Sequence, residues 1–285
     1  MTSPIQSTPL FLSHLLCFFA LTASTLLAGM AYPQDKPPTP ATTSVARHPI
    51  LFIIGDSTVK NGSGAGGGGL WGWGEPIVDL FDTTRLTVQN KARGGRSSRT
   101  YLTEGLWAQV LADLRPGDFV LMQFGHNDGG PLDTGRARAS LHGIGDETKV
   151  VTMEATGKPE TVHTYGWYLH QYIADTLAKG ATPIVLSPIP RNGWKDGKIN
   201  RSTDYGPWAA QVAKADGVAF VDLNGIIADR YDPIGAEKVG ADFFTPTDHT
   251  HTSLAGAKFN AVAVVEGLRG LKECALCGYL KDAKK

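Results

Sequence analysis

The sequence predicts an α/β fold, a parallel β-sheet covered by helices on both faces. Two observations carry that expectation. Between His48 and Gly270, strand and helix signals alternate, the order that builds βαβ units. The strand candidates are also near-continuous apolar runs, as expected of strands buried on both sides. Five such runs in this stretch fit one domain.

The first candidate strand, 50–54, reads Ile-Leu-Phe-Ile-Ile and runs straight into Gly55-Asp56-Ser57-Thr58. A serine at the C-terminal mouth of a buried strand lies where open α/β sheets place their ligands. The second strand, 86–89, leads to Gly94-Gly95-Arg96-Ser97, and the third, 119–124, to Gly125-His126-Asn127-Asp128. Residues 129–163 show weak periodicity with several Gly, Asp and Arg residues. They read as a long loop over the sheet's C-terminal edge, a usual place for substrate contacts. A helix over 165–178 puts Tyr165, Tyr168, Leu169, Tyr172, Ile173 and Leu177 on one face, and Gly180 stops it. Strands at 183–186 and 218–221 follow. The last helix is capped by Ser253 and turns Leu254, Ala257, Ala261, Val265 and Leu268 inward.

The ends of the chain read differently. The apolar stretch from Leu15 to Ala31 has small residues at Gly29 and Ala31, which predicts an export signal cleaved after Ala31. It is shorter than the ~20 residues a membrane span needs, and its n-region lacks Lys and Arg. Residues 32–47 form a Pro/Thr-rich linker with little to bury. The folded domain is expected over 48–272, with a tail at 273–285. In an oxidising compartment Cys274 and Cys277 could close a small loop within that tail. Lys plus Arg and Asp plus Glu number 27 each. This neutral balance calls for neither nucleic acid nor an anionic membrane. The expected partner is a substrate only, met by a monomer with no membrane association after signal cleavage.

A serine hydroxyl needs a base to take its proton, and the base works best when a carboxylate fixes its tautomer. Ser57 is the candidate nucleophile, His251 the base and Asp248 the orienting carboxylate, since residues i and i+3 can meet across a turn. Asp56 is a weaker orienting candidate, because adjacent strand residues point to opposite faces. Attack on an ester builds charge on oxygen, and preorganised donors must meet it. The backbone amides of Ser57 and Gly95 and the side-chain amide of Asn127 are the candidates. Asp248, His249 and His251 are also residue types that can ligate zinc, though no further Cys/His cluster supports this.

The blocks Gly55-Asp56-Ser57, Gly95, Gly125-His126-Asn127-Asp128 and Asp248-His249-Thr250-His251 resemble the SGNH (GDSL-type) hydrolases. Asn90 to Tyr101 and Asp248 to Thr252 are similar to the rhamnogalacturonan acetylesterase branch of that family. The resemblance spans roughly 48–270 and implies a three-layer α/β/α sandwich, flavodoxin-like, with a five-stranded parallel sheet. It implies a Ser57–His251–Asp248 triad, an oxyanion hole of Ser57 N, Gly95 N and Asn127 Nδ2, and no metal or cofactor. The expected function is that of a secreted serine esterase deacetylating plant cell-wall polysaccharide, foremost acetylated rhamnogalacturonan (pectin).

Rivals are an acetylxylan, small-ester or lipid-thioester hydrolase, a carbohydrate-binding module without turnover, and a metal-dependent hydrolase. The glycine-rich stretch 62–74 lacks the Gly-Lys-Ser/Thr of a phosphate loop. Its Trp71 and Trp73 are candidates for stacking on a sugar ring, or for burial against the sheet. Val59 breaks the Gly-x-Ser-x-Gly setting of the α/β-hydrolase elbow.

Overall fold

The computed structural model describes residues 47–281, apart from 62, 63 and 65. The expected signal at 1–31, all but the last residue of the linker, and 282–285 lie outside the described residues. The first strands are β1 (Ile50–Gly55), β2 (Thr87–Asn90) and β3 (Phe119–Gln123). Next come β4 (Thr148–Thr152), β5 (Pro159–His163) and β6 (Thr182–Leu186). The short β7 (Trp194–Lys195) and β8 (Lys198–Ile199) precede β9 (Ala219–Val221), β10 (Phe244–Thr245) and β11 (Asp248–Thr252). The helices are α1 (Ser98–Thr103), α2 (Leu106–Asp113), α3 (Tyr165–Ala178) and α4 (Tyr205–Ala215). Three more follow, α5 (Leu223–Tyr231), α6 (Ala236–Phe243) and α7 (Leu254–Arg269).

The central sheet has five strands in the order β2-β1-β3-β6-β9, and every pairing within it is parallel. Each expected strand is present within a residue or two of its expected ends. Side chains alternate across a strand, and here the alternation sorts two cores. Leu51, Ile53, Phe119, Leu121, Ile184, Leu186 and Val221 pack under α5 and α7. Phe52, Ile54, Val120, Met122 and Val185 face the other way, under α2, α3 and α4. A strand buried on both sides cannot alternate polar with apolar, which is why these runs are continuous. The strand order reverses direction between β1 and β3, so the switch point opens at the ends of those two strands.

The start of β1 is fastened by Asp118, at the start of β3. Its buried carboxylate accepts from the Ile50 and Arg115 amides at 2.8 and 2.9 Å and pairs with Arg47 at 2.6 Å.

Three expectations need correction. Residues 129–163 are not wholly a loop, because β4 and β5 form an antiparallel hairpin there. Each of its strands fully buries a single residue, Val151 or Val162, too little to register as an apolar period. Leu177 is 50% exposed rather than inward. At about 100° per residue it lies about 120° around α3 from Tyr165, at the edge of the apolar stripe. Leu254 is also exposed, because it is the first residue of α7 and the buried face begins at Gly256.

The segment expected as a tail docks against the domain. Leu276 is buried in the core under α7, Tyr279 meets the Phe119 ring edge-on, and Lys281 N donates to Leu80 O. Cys274 and Cys277 are disulfide-bonded in a short 3-10 turn.

Candidate active site

β1 delivers Ser57 to the switch point through Gly55. A Cβ at Gly55 would stand 2.5 Å from the Gln123 carbonyl oxygen and 2.7 Å from Val59 Cγ2, so only glycine lets β1 end this close to β3. Beyond it, Asp56 Oδ1 accepts from the Thr58 amide and hydroxyl at 2.8 and 2.7 Å. Asp56 is buried in this turn and does not orient His251. Gln123 donates to Thr58 Oγ1 at 2.7 Å and accepts from Trp73 Nε1 at 2.9 Å. Trp73, Gln123, Thr58 and Asp56 thus form a buried polar chain beneath the serine turn. Trp73 is committed to that chain and closed to solvent, so of the two tryptophans only Trp71 retains partial exposure.

β11 supplies the partners. His251 Nε2 lies 2.7 Å from Ser57 Oγ, and His251 Nδ1 lies 2.8 Å from Asp248 Oδ2. With Nδ1 donating to Asp248, Nε2 is the acceptor for the serine hydroxyl. Although Asp248 and His251 lie on a strand, they meet because Asp248 Oδ1 accepts from the Thr250 and His251 amides at 2.7 and 2.8 Å. That double bond folds the start of β11 back on itself. Partial burial opposes the Asp248 charge, yet the His251 amide, its imidazole and the Thr250 amide together hold the carboxyl below its usual range. Trp71 pins the strand from outside, its amide donating to Thr252 O at 2.8 Å and its carbonyl accepting from Thr252 Oγ1 at 3.0 Å.

The loops after β2 and β3 close the other side. Gly95 takes a left-handed φ of 81°, a conformation a side chain would strain. Asn127 Nδ2 donates to Arg96 O at 2.8 Å, and Asn127 is 7% exposed. Among the described residues, neither the Ser57 nor the Gly95 amide donates to a protein acceptor. One hydrogen of the Asn127 amide is likewise uncommitted.

Asp128 lies beneath this loop pair. It accepts from the Ser98 amide and from the hydroxyls of Ser98 and Ser140. Burial pushes its carboxyl up to about 7, against those hydrogen bonds. Tyr172 donates to Ser98 O from α3.

Sequence reasoning missed Arg99. It is fully buried on α1 and bonds only to the segment between β3 and α3: Leu132 O, Ala139 O, Met153 Sδ and Glu160 Oε1. Arg99 stands between Ser98 and Thr100 in a polar stretch, so no apolar period marks it for burial.

His249 does not join the pair around it. Its carbonyl accepts from Asn192 N, and it lines a separate cavity of about 780 Å³ with Gly125, His126, Arg191, Asn192 and Tyr205. Among the described residues, no three His, Cys, Asp or Glu side chains are placed to hold a metal ion.

The GDSL-like Lipase/Acylhydrolase family model matches residues 53–259. The chain is 35% identical to a rhamnogalacturonan acetylesterase of Emericella nidulans over 76% of its length and 84% of that protein. It is 31% identical to a probable rhamnogalacturonan acetylesterase of Bacillus subtilis, YesY, over 78% and 93% of the two chains. Among solved structures, Bacillus subtilis YxiM shares the fold, with a TM-score of 0.63 at 22% identity. That alignment covers 79% of this chain and 57% of the other.

Proposed function

This chain belongs to the GDSL-like lipase/acylhydrolase family and is a carboxylic ester hydrolase, and from that premise we propose that Ser57, His251 and Asp248 are its catalytic triad, removing acetyl groups from rhamnogalacturonan. The observation that carries the triad is the unbroken hydrogen-bond chain from Ser57 Oγ through the imidazole to the Asp248 carboxylate. Ser57 attacks the acetyl carbonyl as His251 takes its proton, and Asp248 holds the imidazole and stabilises the imidazolium.

The tetrahedral oxygen is received by the Ser57 and Gly95 amides and the uncommitted N–H of Asn127. One such donor contributes about 2.7–4 kcal/mol to the transition state. Collapse of the intermediate releases the sugar hydroxyl, protonated by His251. Water, deprotonated by the same imidazole, then cleaves the acetyl-enzyme to acetate and free serine. Every step is accounted for by these side chains and water.

The substrate is inferred from the two relatives whose names specify it, and a cavity beside His126 and His249 supplies room for sugar residues. Export rests on the sequence of residues 15–31, and among the described residues no helix is long and apolar enough to cross a membrane.

The test is acetate release from acetylated rhamnogalacturonan, acetylxylan and p-nitrophenyl acetate by wild type and Ser57→Ala. Release chiefly from the pectic polymer, lost in the variant without a change in Tm, supports both chemistry and substrate. Turnover by Ser57→Ala removes Ser57 as nucleophile. Equal or greater release from acetylxylan removes the substrate assignment and leaves the triad standing.

A further inference from the structure

Two arginines flank the loops around Ser57 without a carboxylate of their own. Arg138 Nη1 donates to Gly95 O at 3.0 Å. Arg191 Nη2 donates to His126 O at 3.0 Å, and its Nε faces His126 Nδ1 at 3.3 Å. Each guanidinium is therefore anchored to backbone beside a candidate oxyanion donor, Gly95 on one side and Asn127 on the other. Arg96, Arg99 and Arg201 lie nearby in sequence or cavity, and each has an acidic partner. Among the described residues Arg138 and Arg191 have none.

Partial burial lowers the Arg138 pKa, and the positive charges of Arg136 and Arg191 act in the same direction. The acids nearest Arg138 are Asp56 and Asp128, and both are buried and already accept from Thr58, Ser98 and Ser140. Guanidinium groups with unused N–H donors on the Gly95 side and the His126 side of these loops are complementary to an anion. Arg191 also lines the cavity that adjoins His126 and His249. The chain as a whole is neutral, so any such attraction is local to this site.

We propose that Arg138 and Arg191 bind a uronate carboxylate of the polysaccharide close to the acetyl ester, making them specificity-determining residues. This rests on the substrate reading above, because a rhamnogalacturonan backbone alternates neutral and acidic sugars whereas an unsubstituted xylan backbone is neutral. A planar guanidinium offers the paired donors that a carboxylate matches, which a lysine ammonium does not.

The experiment compares acetylated rhamnogalacturonan fragments bearing free carboxylates with the same fragments methyl-esterified. Wild type, Arg191→Gln, Arg191→Lys and Arg138→Gln are assayed for acetate release, with p-nitrophenyl acetate in parallel. Wild type is expected to favour free carboxylates by about 10- to 100-fold in kcat/KM, mainly through KM, the range for hydrogen bonds to a charged group. Either Gln variant collapses that preference, and Arg191→Lys recovers part of it. Equal wild-type rates on the two fragment sets overturn the proposal. So does a loss in the Gln variants that is the same on both sets, since a merely structural role predicts that result. Wild type that cleaves p-nitrophenyl acetate and neither fragment set overturns the substrate reading, and this proposal with it.

Discussion

The side-chain amide of Asn127 donates to the backbone carbonyl of Arg96 at 2.8 Å. That bond ties the loop after β3 to the loop after β2, so two of the three proposed oxyanion donors are positioned by one contact. Replacing Asn127 with Ala removes a donor and the tie together. We expect kcat to fall by about 10²–10³ with little change in KM. Steady-state kinetics on p-nitrophenyl acetate checks this. An effect confined to KM would make Asn127 a substrate-binding residue.

Asp248→Asn keeps the shape of the β11 turn and removes its charge. The His251 ring then loses the partner that selects its tautomer, and kcat is expected to drop by about 10⁴. The same carboxyl affects acid stability. Held below its usual range, it contributes stability above about pH 4 and loses it as pH falls through the depressed native value. Thermal unfolding between pH 5 and pH 3 should therefore be less pH-sensitive in the variant. An unchanged kcat would shift the orienting role to another group.

Asp128 acts in the opposite direction. Its native carboxyl, pushed up to about 7, binds its proton more tightly than in the unfolded chain. Its contribution to stability is then fullest below about pH 4 and declines as pH rises to 7 and beyond. Asp128→Asn should narrow the difference in Tm between pH 5 and pH 8. If that difference is the same in both proteins, Asp128 is not the group responsible.

Asp118 lies at the far end of the sheet from Ser57. Asp118→Ala leaves the Ile50 and Arg115 amides without their acceptor. The expected cost is about 1–3 kcal/mol, read as a Tm decrease of about 2–4 °C per kcal/mol. Activity per folded molecule at low temperature should stay at the wild-type level. A large fall in kcat at unchanged Tm would contradict this separation of fold from site.

The five strands and both long helices were legible because their signal is local. An apolar run buried on two faces, or a stripe at helical period, is written in consecutive residues. Ser57, Gly95, Asn127 and His251 were equally legible as candidates, since each follows or adjoins a readable element. The interactions that hold them in place were not. Gln123 joining Trp73 to Thr58, and Arg99 reaching from Leu132 to Glu160, connect residues far apart in sequence, and no period or spacing encodes those pairings. The hairpin of β4 and β5 escaped for a related reason. A strand that fully buries one valine has no pattern until its neighbours are known.

Arg99 has one further consequence. Its four partners all lie between β3 and α3, the stretch that also carries Arg138, whereas Ser57, Asp248 and His251 are held by β1 and β11. The proposed triad and Arg138, one of the two residues proposed to choose the polymer, are moored at different points. Substitutions within the moored stretch then retune selectivity while Ser57, His251 and Asp248 keep their geometry, a division of labour that leaves one ester-cleaving machine open to many sugars.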